Sequence, residues 1–170
     1  MDRRQRSRVG TGLILILVGA VLLAVQFVPE LRPWLGGARG WPLLVVGLAA
    51  ALFVAGLVTW TPGTVAAACV VGGIGGLLYY QNLTGDWKSW AYAWTLLPGF
   101  SGVGTILAGL MGGQRGRAFS AGLWQIMISL LLFMIFASFL RGPDLLGPYW
   151  PILVIALGLL LLVRTLFRSR

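Results

Sequence analysis

Histidine is absent from this chain of 170 residues, and cysteine occurs once. The first absence removes the commonest general base and the commonest ligand for a transition metal or haem iron. The lone Cys69 cannot close an internal disulfide, and a zinc or iron–sulfur centre cannot be assembled from this chain alone. It reads as a small packing residue in an apolar run. Four residues are acidic, Asp2, Glu30, Asp86 and Asp144, with no close pair in sequence for general acid–base work. Serines are present without a histidine to activate them. The composition points away from an enzyme, and no catalytic residue, cofactor or metal is expected.

Charge of either sign is also scarce. Charged residues make up 10% of the chain, against about 25% in an ordinary soluble domain. They lie outside six long apolar runs or at their ends, as Arg164 does in the last run. Ionisable residues within a membrane mark ion paths and proton relays, and the interiors of these runs carry none.

What is present is apolar: 58% of residues are hydrophobic and the mean hydropathy is +0.90. A helix that crosses a bilayer needs roughly 20 such residues. The runs at 11–28, 41–60, 64–80, 90–111, 119–140 and 149–167 predict six spans in one integral membrane domain over 1–170. The run after Arg3, Arg4, Arg6 and Arg8 is too long for a secretory signal core and lacks a small-residue cleavage site, so an uncleaved first helix is expected.

The net charge of +9 suggests membrane rather than nucleic acid, because of how it is distributed. With both termini cytoplasmic, Arg3, Arg4, Arg6, Arg8, Arg115, Arg117, Arg164, Arg168 and Arg170 fall inside. Arg32, Arg39, Lys88 and Arg141 fall outside. This excess inside follows the positive-inside rule, with basic tails at 1–8 and 168–170. Membrane lipids are the expected partner of this rim.

Tryptophan marks the interfaces. Trp41, Trp87, Trp90, Trp94 and Trp150 are expected as anchors on the outer side, where amphipathic rings prefer the head-group level. Trp60 and Trp124 fall near inner ends. The spacing of Trp87, Trp90, Ala91 and Trp94 gives one helical face, which predicts a short segment lying at the outer surface, with Asp86 as its N-cap.

Three hairpins are expected, at about 9–61, 63–112 and 118–168. Gly12-Leu13 and Trp41-Pro42 in the first recur as Gly122-Leu123 and Trp150-Pro151 in the third; the middle copy, with Trp94 and Pro98, is degenerate. Proline in the first turn of a helix loses no hydrogen bond, so Trp-Pro reads as a helix start. Repeats of one orientation imply a rotation axis along the membrane normal.

Small residues predict where helices meet, because in lipid it is packing that drives association. Thr64, Ala68, Gly72 and Gly76 recur every four residues, Gly47, Ala51 and Ala55 form a second stripe, and Gly109 and Gly113 repeat the spacing. These stripes meet within the chain or between subunits. Gln26, Thr95, Ser101, Thr105, Gln125, Ser129 and Ser138 are the polar residues in or near the runs. Hydrogen bonding between helices is their simplest use.

LILVGAVLL after Gly12-Leu13, then GWPLLVVGLAAALFVAG and WPILVIALGLLLL, resemble the LiaI/LiaF-like transmembrane region of bacterial envelope proteins. The resemblance covers the first and third hairpins, roughly half the chain. It implies a helical membrane module of the bacterial cytoplasmic membrane. LiaF-type members act in envelope-stress signalling by holding a histidine kinase inactive through protein contacts. No functional residue carries over.

The expected fold is thus an all-α polytopic bundle. The expected function is contact with lipid, with another membrane protein or with a second copy of the chain, as an accessory or regulatory subunit. The alternative is a small transporter or channel for a neutral or lipidic solute, with Gln125, Ser129, Ser101 and Thr105 lining its path.

Overall fold

A computed structural model describes residues 40–141 and 150–168, together with Gly12, Leu15, Ile16, Gly19, Ala20, Leu23, Gln26 and Phe27. The expected tail at 1–8, the last two residues of the tail at 168–170, much of the first apolar run and the side chain of Trp150 lie outside the described residues. Among the described residues the chain is helical, with no strand. Helices are α1 (Trp41–Val58), α2 (Pro62–Thr84), the single turn α3 (Trp90–Ala93), α4 (Leu97–Met111), α5 (Arg115–Arg141) and α6 (Trp150–Arg168). The eight earlier residues are helical too.

Among the described residues four helical stretches are long and apolar enough to cross a membrane: Trp41–Val58, Pro62–Thr84, Trp87–Met111 and Arg115–Leu140. In lipid every backbone polar group must be satisfied internally, and a helix does this within one segment. The third stretch begins with 3-10 turns at Trp87–Ser89 and Trp94–Leu96 on either side of α3, then enters α4 without a break. The tryptophan-rich segment is therefore the end of a long helix.

Proline and left-handed residues set the ends. Pro42, Pro62 and Pro98 occupy the first turns of α1, α2 and α4, where a missing N–H breaks no helical bond. Gly85 (φ +70°) ends α2, and Gly113 (φ +75°) follows α4. Trp60 (φ +52°) takes the corresponding place after α1.

Helices α1, α2, α4 and α5 pack in chain order, each antiparallel to its predecessor, and α6 rests lightly on α5. The tightest pairs are α1 with α2 and α4 with α5, joined by the short turns at 59–61 and 112–114. On α1 the buried residues Pro42, Ala49 and Gly56 are seven apart. On α2 the facing row is Val65, Ala68, Gly72 and Gly75, alternating steps of three and four. A repeat of 3.5 residues keeps a seam facing its partner along the length of both helices. A Cβ on Gly75 would stand 3.0 Å from the Val46 backbone nitrogen, and one on Gly56 would stand 2.9 Å from that of Val65.

The packing is inverted relative to a water-soluble core. Among the described residues the buried hydrophobic ones are Ala49, Ala55, Val65, Ala68, Tyr92, Ala93 and Ala137, mostly alanine. Large side chains face outward, among them Val58 (69% exposed), Phe139 (67%) and Leu130 (51%). Water would penalise such a surface, whereas lipid solvates it.

Candidate functional site

The described helices hold their buried polar side chains toward one end of the bundle, where α2 meets the start of the third long stretch. Gln81 is fully buried near the end of α2, and its Nε2 donates to Ser89 Oγ at 3.0 Å. Ser89 Oγ in turn donates to the Asp86 carbonyl at 2.5 Å. The Gln81 Oε1 atom is buried without a hydrogen-bond partner. About two turns further along, Thr95 Oγ1 donates to the Tyr92 carbonyl at 2.6 Å, and Ser129 Oγ of α5 donates to the Thr95 carbonyl at 2.6 Å.

A 3-10 turn positions these groups. Thr95 lies within the 3-10 turn at Trp94–Leu96, and its carbonyl accepts from the Ser129 side chain on α5. Gly99 makes room for Ser129, since a Cβ there would stand 2.8 Å from Ser129 Oγ. Deeper in the α4/α5 pair, Thr105 Oγ1 donates to the Ser101 carbonyl at 2.9 Å and lies 3.2 Å from the side-chain amide of Gln125. Ser138 is buried with its hydroxyl unpartnered.

Glycines bring α4 and α5 into backbone contact around these bonds. A Cβ on Gly102 would stand 2.6 Å from the Gly122 carbonyl oxygen, and one on Gly122 would collide with the Gly102 carbonyl. One on Gly109 would collide with Ala118. The other side of α4 meets α2, where Gly104 lies against Ala66 and Phe100 lies against Gly73. The seam is closed by main chain, and Thr105, Gln125 and Ser129 are bonded to neighbours within the α4/α5 pair and the turn leading into α4.

Aromatic rings surround the same end. Trp41 and Trp87 are parallel (5° between planes), with centroids 6.5 Å apart. Tyr92 meets Phe133, and Trp94 meets Phe136, edge to face at 5.5 and 5.7 Å. Trp41, Trp87, Trp90 and Trp94 are exposed. Ser89, Tyr92, Ala93 and Thr95, on the opposite face of the same segment, are buried. Trp94 Nε1 donates to the Ala91 carbonyl at 2.9 Å, which satisfies its polar handle without water.

The small-residue stripes fall in four settings. Ala68 and Gly72 stand on the α1/α2 seam, where a Cβ on Gly72 would be 3.4 Å from that of Ala49. Ala55 is buried, Ala51 is half-buried and Thr64 is half-buried beside Gly56. Gly47 and Gly76 have open space where a side chain would stand. Gly113 is exposed in the turn.

Sequence reasoning left out Gln81, Ser89, Gly99, Gly102 and Gly104. Gln81 stood just beyond the apolar run, yet it lies two turns after Gly73 on the side of α2 that meets α4. That spacing was the available signal. Among the described residues no three His, Cys, Asp or Glu side chains come together in a way that could hold a metal ion. Chemically, the arrangement joins helices through neutral hydrogen bonds and presents aromatic and aliphatic surface. No protein-family model, curated protein or solved structure matches this chain.

Proposed function

We propose that this protein is a non-enzymatic, multi-pass protein of the bacterial cytoplasmic membrane that works by contact. In this reading the six apolar runs are six spans in three related hairpins, with both termini cytoplasmic. The contacts are with lipid and with another membrane protein or a second copy of the chain. Its role is that of an accessory or envelope-stress regulatory subunit of the LiaI/LiaF-like kind.

One observation carries the reading: small residues pack inward and large aliphatic residues face outward over four membrane-length helices. An outer surface built this way meets acyl chains or the surface of another membrane protein. Contact is preferred over transport because Thr105, Gln125 and Ser129, three of the four residues that would line a path, are held across a seam where the Gly102 and Gly122 backbones approach each other.

The test is gentle solubilisation from the native membrane after covalent cross-linking in place, followed by identification of cross-linked species. The expected result is a discrete complex with a defined partner or a defined homo-oligomer. A monomer at every detergent mildness and cross-linker length would overturn the reading.

A further inference from the structure

The turn between α1 and α2 contains a tryptophan in a backbone conformation that favours glycine. Trp60 has φ +52° and is 62% exposed. Its backbone closes the C-terminus of α1: the Thr61 N–H donates to the Gly56 carbonyl at 2.8 Å and the Trp60 N–H to the Leu57 carbonyl at 3.1 Å. This pair of bonds is the Schellman ending, whose left-handed position is usually glycine because a Cβ is strained there. The other two left-handed residues among those described, Gly85 and Gly113, follow that preference. Threonines brace the exception. Thr59 Oγ1 donates to the Ala55 carbonyl at 2.7 Å and shares a hydrogen bond with Thr61 Oγ1 at 3.0 Å.

Strain held by surrounding structure leads from the outlier to a role. The indole is not buried, so core packing does not explain it. Its position does. The antiparallel order of α1, α2, α4 and α5 puts the turn at 59–61 at the same end of the bundle as the turn at 112–114. That end carries exposed Arg115 and Arg117, and the first turn of α5 has no acidic residue. Asp86, the acidic residue among the described ones, lies at the other end. An amphipathic ring at the same end of the bundle as two exposed arginines matches an anionic lipid head-group layer.

We infer that Trp60 is an anchor that binds the anionic lipid interface, held in a left-handed turn at the expense of fold stability. The inference rests on the reading that these helices cross a membrane.

Two measurements test it. In detergent, Trp60→Gly and Trp60→Ala both lose the ring, but only glycine relieves the backbone. Trp60→Gly is expected to unfold about 2–4 °C above Trp60→Ala. An equal or lower midpoint overturns the strain. In vesicles mixing phosphatidylglycerol and phosphatidylcholine, one lipid at a time carries bromine near the head group or near the chain end. The fluorescence difference between the native protein and Trp60→Phe isolates Trp60. Quenching is expected to be strongest with bromine near the head group of phosphatidylglycerol. If Trp60 answers to aqueous iodide and to neither bromine position, or to both lipids equally, the anchor role fails. Failure of the membrane reading is distinct: the protein would not float with vesicles, and no tryptophan would be quenched by lipid.

Discussion

Gly102 on α4 and Gly122 on α5 face each other so closely that a methyl group on either would meet the other's carbonyl oxygen. Both residues are buried, and the obstacle is backbone rather than a side chain that could swing away. Gly102→Ala and Gly122→Ala should each destabilise the helix pair by about 1–3 kcal/mol, the usual cost of overpacking. Gly47→Ala and Gly76→Ala meet open space. They should be neutral or stabilise by up to about 1 kcal/mol through helix propensity. Denaturant titration of the four variants in mixed micelles checks the contrast, and equal effects at all four sites would refute it.

Gln81 and Ser89 form an asymmetric pair. Ser89 still donates to the Asp86 carbonyl if Gln81 is lost, whereas Gln81 already has an unpartnered Oε1. Gln81→Leu removes a buried polar group with its unmet demand and should change stability by less than about 1 kcal/mol. Ser89→Ala strips the amide of its partner and should cost about 1–3 kcal/mol. Thermal unfolding of the two single variants decides the order. If Gln81→Leu is the more damaging change, the amide has a structural role beyond this bond.

Much of this architecture was legible because lipid imposes simple rules. The apolar runs marked helices, and Trp41-Pro42 marked the start of α1, where Pro42 is buried in the first turn. Ala68 and Gly72 were legible as packing residues by size. The register was harder to read. α1 and α2 are apolar on every side, so hydrophobic periodicity does not select a face, and the four-residue stripe through Thr64 and Gly76 diverges from the seam through Val65 and Gly75. Gly102 and Gly122 gain their meaning only from facing each other across a turn. Gln81 is covered by the segment that carries Ser89, a tertiary event whose one trace in the sequence is the spacing from Gly73.

The hydrogen bond from Ser129 Oγ to the Thr95 carbonyl ties α5 to the turn before α4 at 2.6 Å. Ser129 is fully buried, so water does not compete for this bond. Helix-to-helix hydrogen bonds within membranes average about 0.6 kcal/mol and reach about 1.7 kcal/mol. Ser129→Ala should fall in that range. Ser129→Val should cost more, because a branched side chain would press on the backbone at Gly99. A null effect of both substitutions on unfolding in micelles would remove this bond from the account of what holds the two helices together.

Lys88 and Gln114 are exposed at opposite ends of the third long stretch, and Cys69 lies half-buried within α2. If the stretch at Trp87–Met111 crosses the membrane, these positions answer differently to a thiol reagent that does not permeate lipid. With Cys69→Ala as background, Lys88→Cys should be labelled in intact cells. Gln114→Cys should be labelled only in inverted vesicles, since the basic turn at Arg115 and Arg117 is assigned to the cytoplasm. In the native chain Cys69 should resist the reagent from both sides and react after denaturation in detergent, because the acyl chains around mid-helix exclude a charged maleimide. Labelling of both engineered positions from the same side would break the alternation on which the six-span topology depends. Labelling of Cys69 in intact membranes would instead show a water-filled approach to α2, and would move the functional reading from contact toward transport.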